Sequence, residues 1–131
     1  MNKSKICIIG VGGIGRHHLR SCINFGYECI GVDPIAEIEP NCTWLKSIEE
    51  SVRMDVSVFI ISTSSEFHFS YIMFIEDSFQ NVKVIIEKPL FTSKNQYLDF
   101  EKITKQSTNE YFINLPFSYN PVIRNIKLKY D

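Results

Sequence analysis

Six residues near the amino terminus, Gly10-Val11-Gly12-Gly13-Ile14-Gly15, narrow the folds open to this chain more than any other stretch. They fit the pattern G-x-G-x-x-G. The residues before them, Ile6 to Ile9, are apolar at successive positions, as in a strand covered on both faces. After them Leu19, Cys22 and Ile23 recur at i, i+3 and i+4, the spacing of a helix face, and Gly26 stops that helix. A glycine loop between strand and helix has a physical use. Gly10 permits a tight turn, Gly12 lets backbone approach a pyrophosphate, and Gly15 lets the helix lie close to the sheet. The helix start aims free N–H groups and its positive dipole end at the phosphates, so Val11, Gly13 and Ile14 belong to the same candidate cradle.

An acid supports the loop. Asp33 ends the second apolar run (Tyr27 to Asp33), 18 residues after Gly15 and close to the roughly 20 expected for a ribose-binding carboxylate. Asp33 is expected to accept hydrogen bonds from both ribose hydroxyls and to repel a 2′-phosphate. Pro34, Ile35 and Ala36 follow, with no arginine or lysine nearby. NAD is therefore the expected cofactor, ahead of NADP. Methyltransferases also place a glycine loop after the first strand, usually with an acid just before its first glycine. That position here is Ile9, so NAD ranks first.

The rest of the chain alternates short apolar runs with helical segments. Strands are expected at Cys42 to Leu45, Asp55 to Ile61, Val82 to Ile86 and Tyr111 to Leu115. Helices are expected after Ser47, after Thr63, and from Ser93 to about Gln106, each opened by a capping-box pair (Ser47/Glu50, Thr63/Glu66, Ser93/Gln96). The helix after Thr63 presents Phe67, Tyr71, Phe74 and Ile75 as its stripe. Asn120-Pro121 reads as the start of a last helix, Val122 to Tyr130. Strands alternating with helices predict an α/β fold: a doubly wound, mainly parallel sheet with helices on both faces, the three-layer Rossmann arrangement.

The 131 residues suit one domain, 1–131, and a 44% hydrophobic, 22% charged composition allows it a buried core. A net charge of −1 excludes the basic surplus of a nucleic-acid binder. No apolar run approaches the roughly 20 residues of a membrane helix. Cys7, Cys22, Cys29 and Cys42 show no C-x-x-C spacing, so ordinary reduced thiols, a cytoplasmic setting and no metal site are expected.

Two further stretches fall at strand ends, where a doubly wound sheet places its ligand crevice. Ser62, Thr63 and Ser64 offer hydroxyls to ribose or phosphate, or simply cap the next helix. His68, one turn on, reads from its residue type as a packing or surface histidine. Glu87-Lys88-Pro89 ends the fifth strand, and the proline suits a cis bond. Lys88 can orient a substrate hydroxyl or shuttle its proton. On residue type alone, a solvated strand end fits it better.

Together, GVGGIGRHH, Asp33, the Ser62 to His68 stretch, EKPL and the Asn-Pro before the last helix resemble the Gfo/Idh/MocA oxidoreductases, over essentially the whole chain. The resemblance implies an NAD(P)-dependent redox reaction at a hydroxyl of a sugar, cyclitol or nucleotide-sugar. It implies Lys88 near substrate and nicotinamide as the catalytic residue, Glu87 near the nicotinamide ribose, and His68 as the family's histidine at the cofactor site. Two departures stand out. The stretch Asn114 to Pro121 lacks the arginines common there and carries Pro116. The family's second domain, which forms the substrate pocket and the oligomer interface, has no counterpart within 131 residues. The isolated chain is therefore expected to bind a dinucleotide and turn nothing over. A homo-oligomer or a partner chain would complete a pocket for a sugar-like substrate. The alternative is a non-catalytic dinucleotide-binding module.

Overall fold

The computed structural model describes residues 4–36 and 39–115. The helix expected at 122–130, with Asn120, Pro121 and Pro116, lies outside the described residues.

Among the described residues six strands form one sheet: β1 (Lys5–Ile9), β2 (Glu28–Val32), β3 (Cys42–Leu45), β4 (Val56–Ile61), β5 (Lys83–Glu87) and β6 (Glu110–Asn114). Their order is β3-β2-β1-β4-β5-β6, and all five pairings are parallel. Among the described residues three α-helices accompany them: α1 (Gly13–Asn24), α2 (Ser65–Ser78) and α3 (Lys94–Gln106). This is the doubly wound order, reversing between β1 and β4, where such sheets open a crevice at their carboxyl ends.

The apolar runs are continuous because both faces of the sheet are covered. On one face Ile6, Ile8, Cys29 and Ile60 pack with Leu19, Cys22 and Ile23 of α1. On the other, Cys7, Ile9, Ile30, Phe59, Ile61, Val84 and Ile86 pack with Ile72 and Ile75 of α2 and Phe100 of α3. Period-two alternation along β1 thus feeds two cores from one run. Gly31 makes room for Trp44, since a Cβ there would lie 2.7 Å from the indole ring.

Two local expectations are corrected, and the brief helix opened by the Ser47/Glu50 capping box forms as a tighter turn type. The element after Ser47 is a 3-10 helix (Ile48–Arg53), in which Glu50 reaches back to accept the Ser47 N–H at 3.1 Å. The cap of α2 is Ser64, not Thr63, and no side chain closes it. The core stripe of α2 is His68, Ile72 and Ile75; Tyr71 and Phe74 flank it, and Phe67 is exposed. α2 is apolar nearly all round, so its spacing supports more than one stripe. The Ser93 cap forms as expected, accepting the Gln96 N–H at 3.3 Å.

No described helix is long and apolar enough to cross a membrane. The four cysteines are free thiols, and burial pushes Cys7 and Cys29 up to about 12, with neighbouring Cys22 and Cys42 adding to the effect at Cys29.

Candidate functional site

Parallel register sets the strand ends in a line. Ile9 pairs with Val32 on one side and Ile61 on the other, and Ile61 pairs with Ile86. The residues one step further on are Asp33, Gly10, Ser62 and Glu87, with Asn114 beside Glu87. At ~4.8 Å per strand, Asp33 and Glu87 stand roughly 14 Å apart across the switch point. Hydrogen bonds tie the line together. The Gly10 N–H donates to Val32 O at 2.9 Å, and the Ser62 N–H to Ile9 O at 2.9 Å. Ser62 Oγ donates to the Gly10 carbonyl at 2.9 Å.

The glycines divide into two kinds. Gly10 holds φ +83°, and a Cβ there would lie 2.8 Å from Thr63 Cγ2. Gly15 is buried, and a Cβ there would sit 1.8 Å from the Gly10 carbonyl oxygen. These two bring α1 and the Ser62–Thr63 loop against the end of β1. Gly12 and Gly13 face open space, where a Cβ would meet nothing within 4 Å. Gly12 caps α1, and no side chain takes the first N–H groups of the helix. An uncapped helix end beside bare, accessible backbone is the arrangement that fits a diphosphate. Ile14, half exposed, stands on the first turn of α1.

Asp33 lines the crevice, but much of its acceptor capacity is already used. Oδ2 accepts the Val11 N–H at 2.9 Å, and Oδ1 accepts the N–H groups of Ile35 and Ala36, both at 3.0 Å. A carboxylate offers about four lone-pair sites, so roughly one remains. Three backbone N–H groups thus take most of the acceptor capacity that the sequence reading assigns to two ribose hydroxyls. Through them Asp33 pins the glycine loop and the turn after β2.

The crevice brings together Gly10, Gly12, Asp33, Ser62, Thr63 and Ser64 with Pro34, Ile35, Phe67 and Tyr71. Lys46 and Glu49 line the adjoining hollow beside Asp33. Helical periodicity alone puts Phe67 and Tyr71 in the core, and the residues that follow Asp33 in sequence include no nearby cation. The pairing of β2 with β3 is what carries Lys46 there, because Val32 lies beside Leu45. Burial raises the Tyr71 phenol, and Glu49 and Asp33 add to the effect, so it stays a neutral hydroxyl at the crevice.

His68 does not reach the crevice. It is fully buried, with Nδ1 3.0 Å from Leu90 O and Nε2 2.9 Å from Thr63 O. Its expected place as a cofactor contact is corrected. It ties the Ser62–Ser64 loop to the segment after β5, and its ring is spent on backbone carbonyls.

At the other end of the line Glu87 is buried and Lys88 is exposed, with a cis bond between Lys88 and Pro89. Glu87 Oε1 lies 2.6 Å from His18 Nε2 and accepts the Asn114 amide at 2.7 Å. Neither partner was singled out from local spacing. Topology alone joins residues 69 and 27 positions away.

This geometry belongs to a recognisable group. The sequence matches the family model for the GFO_IDH_MocA oxidoreductases, described by their NAD-binding Rossmann fold, over residues 4–115. The chain belongs to this family. Within Gfo/Idh/MocA terms, the described residues are the NAD-binding Rossmann part. No curated protein matches the sequence. Among solved structures, the WlbA dehydrogenase of Chromobacterium violaceum, in complex with NADH and UDP-GlcNAcA, superposes with a TM-score of 0.84 at 18% identity, covering 98% of this chain and 39% of that one. WlbA of Bordetella pertussis, also with NADH and UDP-GlcNAcA, gives 0.83 at 17%, covering 97% and 41%. The myo-inositol 2-dehydrogenase of Lactobacillus plantarum gives 0.83 at 19%, covering 97% and 40%. At these identities the likeness shows the fold. The Gfo/Idh/MocA chain described here spans about two fifths of these neighbours' length.

Proposed function

We propose that this chain holds NAD(H) for an oxidoreductase acting on a hydroxyl of a sugar, cyclitol or nucleotide-sugar. The observation that carries the reading is the line Asp33–Gly10–Ser62–Glu87, with an uncapped helix end and bare Gly12 at its centre. Oδ2 of Asp33 takes one hydroxyl of the adenosine ribose. The Gly12 backbone and the first turn of α1 hold the diphosphate. Ser62, Thr63 and Ser64 flank it, and Glu87 takes the nicotinamide-side ribose.

NAD, when bound, supplies the hydride acceptor or donor. The protein's part is to place it and to handle the proton. Lys88, exposed beside Glu87, is the residue proposed to meet the substrate hydroxyl and hold or accept its proton. NAD is favoured over NADP because Asp33 and Glu49 stand where a 2′-phosphate would enter, with Lys46 only partly offsetting them. The substrate side of the pocket is proposed to come from outside residues 4–115, through a further domain, a second copy or a partner chain. A cytoplasmic setting with reduced thiols is part of the same proposal.

Calorimetric titration of the chain with NADH and NADPH tests the reading. NADH is expected to bind, NADPH more weakly, and a panel of sugars and cyclitols to give no steady-state turnover with this chain alone. Tighter binding of NADPH would overturn the cofactor choice. Steady turnover would overturn the need for a second wall.

A further inference from the structure

We propose that His18 is a positioning residue for the nicotinamide half of the dinucleotide, acting through Glu87. The inference rests on the NAD(H) reading above and extends it to a residue which that reading does not use.

Oε1 of Glu87 is held from two elements at once. His18 comes from the second turn of α1, with Nε2 at 2.6 Å, and Asn114 from the end of β6, with Nδ2 at 2.7 Å. Two donors on one oxygen, one of them an imidazole at charge-assisted distance, fix the carboxylate in rotation as well as in place. Oε2 takes no hydrogen bond from any described residue. No buried side-chain polar atom is left unpartnered among the described residues, so Oε2 stays in touch with solvent. The carboxylate is thus divided: one oxygen is saturated by the protein, and the other is free to accept a hydroxyl. It sits on the crevice line one strand beyond Ser62, on the side away from Asp33. That is the distal end for a dinucleotide whose adenosine ribose lies at Asp33.

Holding α1 in place does not require this contact. Gly15 already brings the helix against the Gly10 carbonyl, and Leu19 is fully buried against the sheet. His18 belongs to neither apolar cluster, and its side chain is about 25% exposed. What His18 adds is the orientation of Glu87, and through it the strand end that carries Lys88.

The test compares ligands that share the adenosine and diphosphate but differ at the nicotinamide end. NADH and ADP are titrated calorimetrically into the full chain, as wild type, His18→Ala, His18→Gln and Asn114→Ala. The expected result is a loss of about tenfold in NADH affinity for His18→Ala, the scale of one hydrogen bond to a charged group, with ADP affinity unchanged. His18→Gln, which keeps an N–H donor, should recover part of the loss. Asn114→Ala leaves α1 untouched and should show the same selective loss, which covers the case in which His18→Ala fails to fold. Equal losses for NADH and ADP in both alanine variants, or no loss for NADH, would overturn the proposal. A wild-type chain that binds neither ligand would overturn the NAD(H) reading itself, a different outcome from a uniform loss.

Discussion

Asp33 Oδ2 lies 2.9 Å from the Val11 backbone nitrogen, so the acid at the end of β2 holds the glycine loop that β1 leads into. On the proposed reading, one carboxylate therefore both shapes the phosphate cradle and selects the ribose. Asp33→Ala removes both functions and leaves the Val11, Ile35 and Ala36 N–H groups without their acceptor. Asp33→Asn separates the two. Whichever way the amide is turned, a donor faces a donor, at Val11 or at the Ile35–Ala36 turn. The loss of a charged acceptor is worth ~1.5–3 kcal/mol, so NADH affinity should fall at least about tenfold in either variant. The ratio of NADPH to NADH affinity should rise most for Asp33→Ala, which removes the negative charge and opens space. Calorimetry with both cofactors measures this, and unchanged affinities would count against the ribose assignment.

The glycines should separate stability from binding. In Gly15→Ala the new methyl meets the Gly10 carbonyl oxygen at 1.8 Å and Ser62 Oγ at 2.7 Å, so α1 must move off the sheet. Overpacking of this kind costs ~1–3 kcal/mol or more, visible as a lower denaturant midpoint. In Gly12→Ala the methyl meets nothing within 4 Å and enters the space assigned to the diphosphate. That variant should lose at most ~1 kcal/mol of stability, for alanine in place of glycine at the helix cap, and should lose NADH and ADP binding together. A Gly12→Ala chain that binds both normally would show that the phosphates lie elsewhere.

Alkaline pH should weaken the fold through Cys7. Burial raises this thiol from 9.0 to about 12 in the folded chain. The unfolded chain releases the proton from about pH 9 upward while the folded chain keeps it, so the unfolded state is favoured as pH rises. The contribution is intact below pH 9 and declines between 9 and about 12, at up to ~1.4 kcal/mol per pH unit. Cys29 acts in the same direction, so the measure is a difference. Urea midpoints of Cys7→Ala should fall less steeply than wild type across this window, from a lower start owing to the lost side-chain volume. Parallel slopes would show that Cys7 does not carry the effect.

The framework was legible because β1, β2, β4 and β5 are apolar on both faces, a pattern that means a parallel sheet between helix layers. The glycine loop and Asp33 were legible because their spacing is set by one β-α-β unit, a local object. What stayed hidden depends on pairing between distant strands. Lys46 reaches Asp33 only through β2–β3 register, and His18 meets Glu87 only because α1 lies over the sheet face leading to β5. α2 misled for a different reason. With Phe67, Phe69, Tyr71, Ile72, Phe74 and Ile75 around it, periodicity does not say which side is core. Tertiary packing chose His68, Ile72 and Ile75, and turned Phe67 and Tyr71 toward the crevice.

The end of the sheet opposite the crevice carries a polar knot that should govern stability without touching binding. Glu76 Oε1, near the end of α2, accepts from Ser107 Oγ at 2.5 Å, from Asn109 Nδ2 at 3.1 Å and from the Tyr111 hydroxyl. Asn109 in turn donates to Phe79 O and accepts the Val82 N–H at 3.0 Å, closing the loops that enter β5 and β6. Burial, and then Glu76 itself, raises the Tyr111 phenol, so it remains a donor at any ordinary pH. Glu76→Ala leaves three donors without their shared acceptor in a half-buried site. An abandoned donor costs ~1–3 kcal/mol where water does not reach it, and water reaches part of this site, so the whole loss should be ~1–3 kcal/mol. Glu76→Gln keeps an oxygen acceptor and should retain more of the stability than Glu76→Ala. NADH affinity should not change in whichever variant stays folded, because the knot lies a full strand length from the Asp33–Glu87 line. A large affinity change with an unchanged midpoint would mean that the two ends of the sheet are coupled.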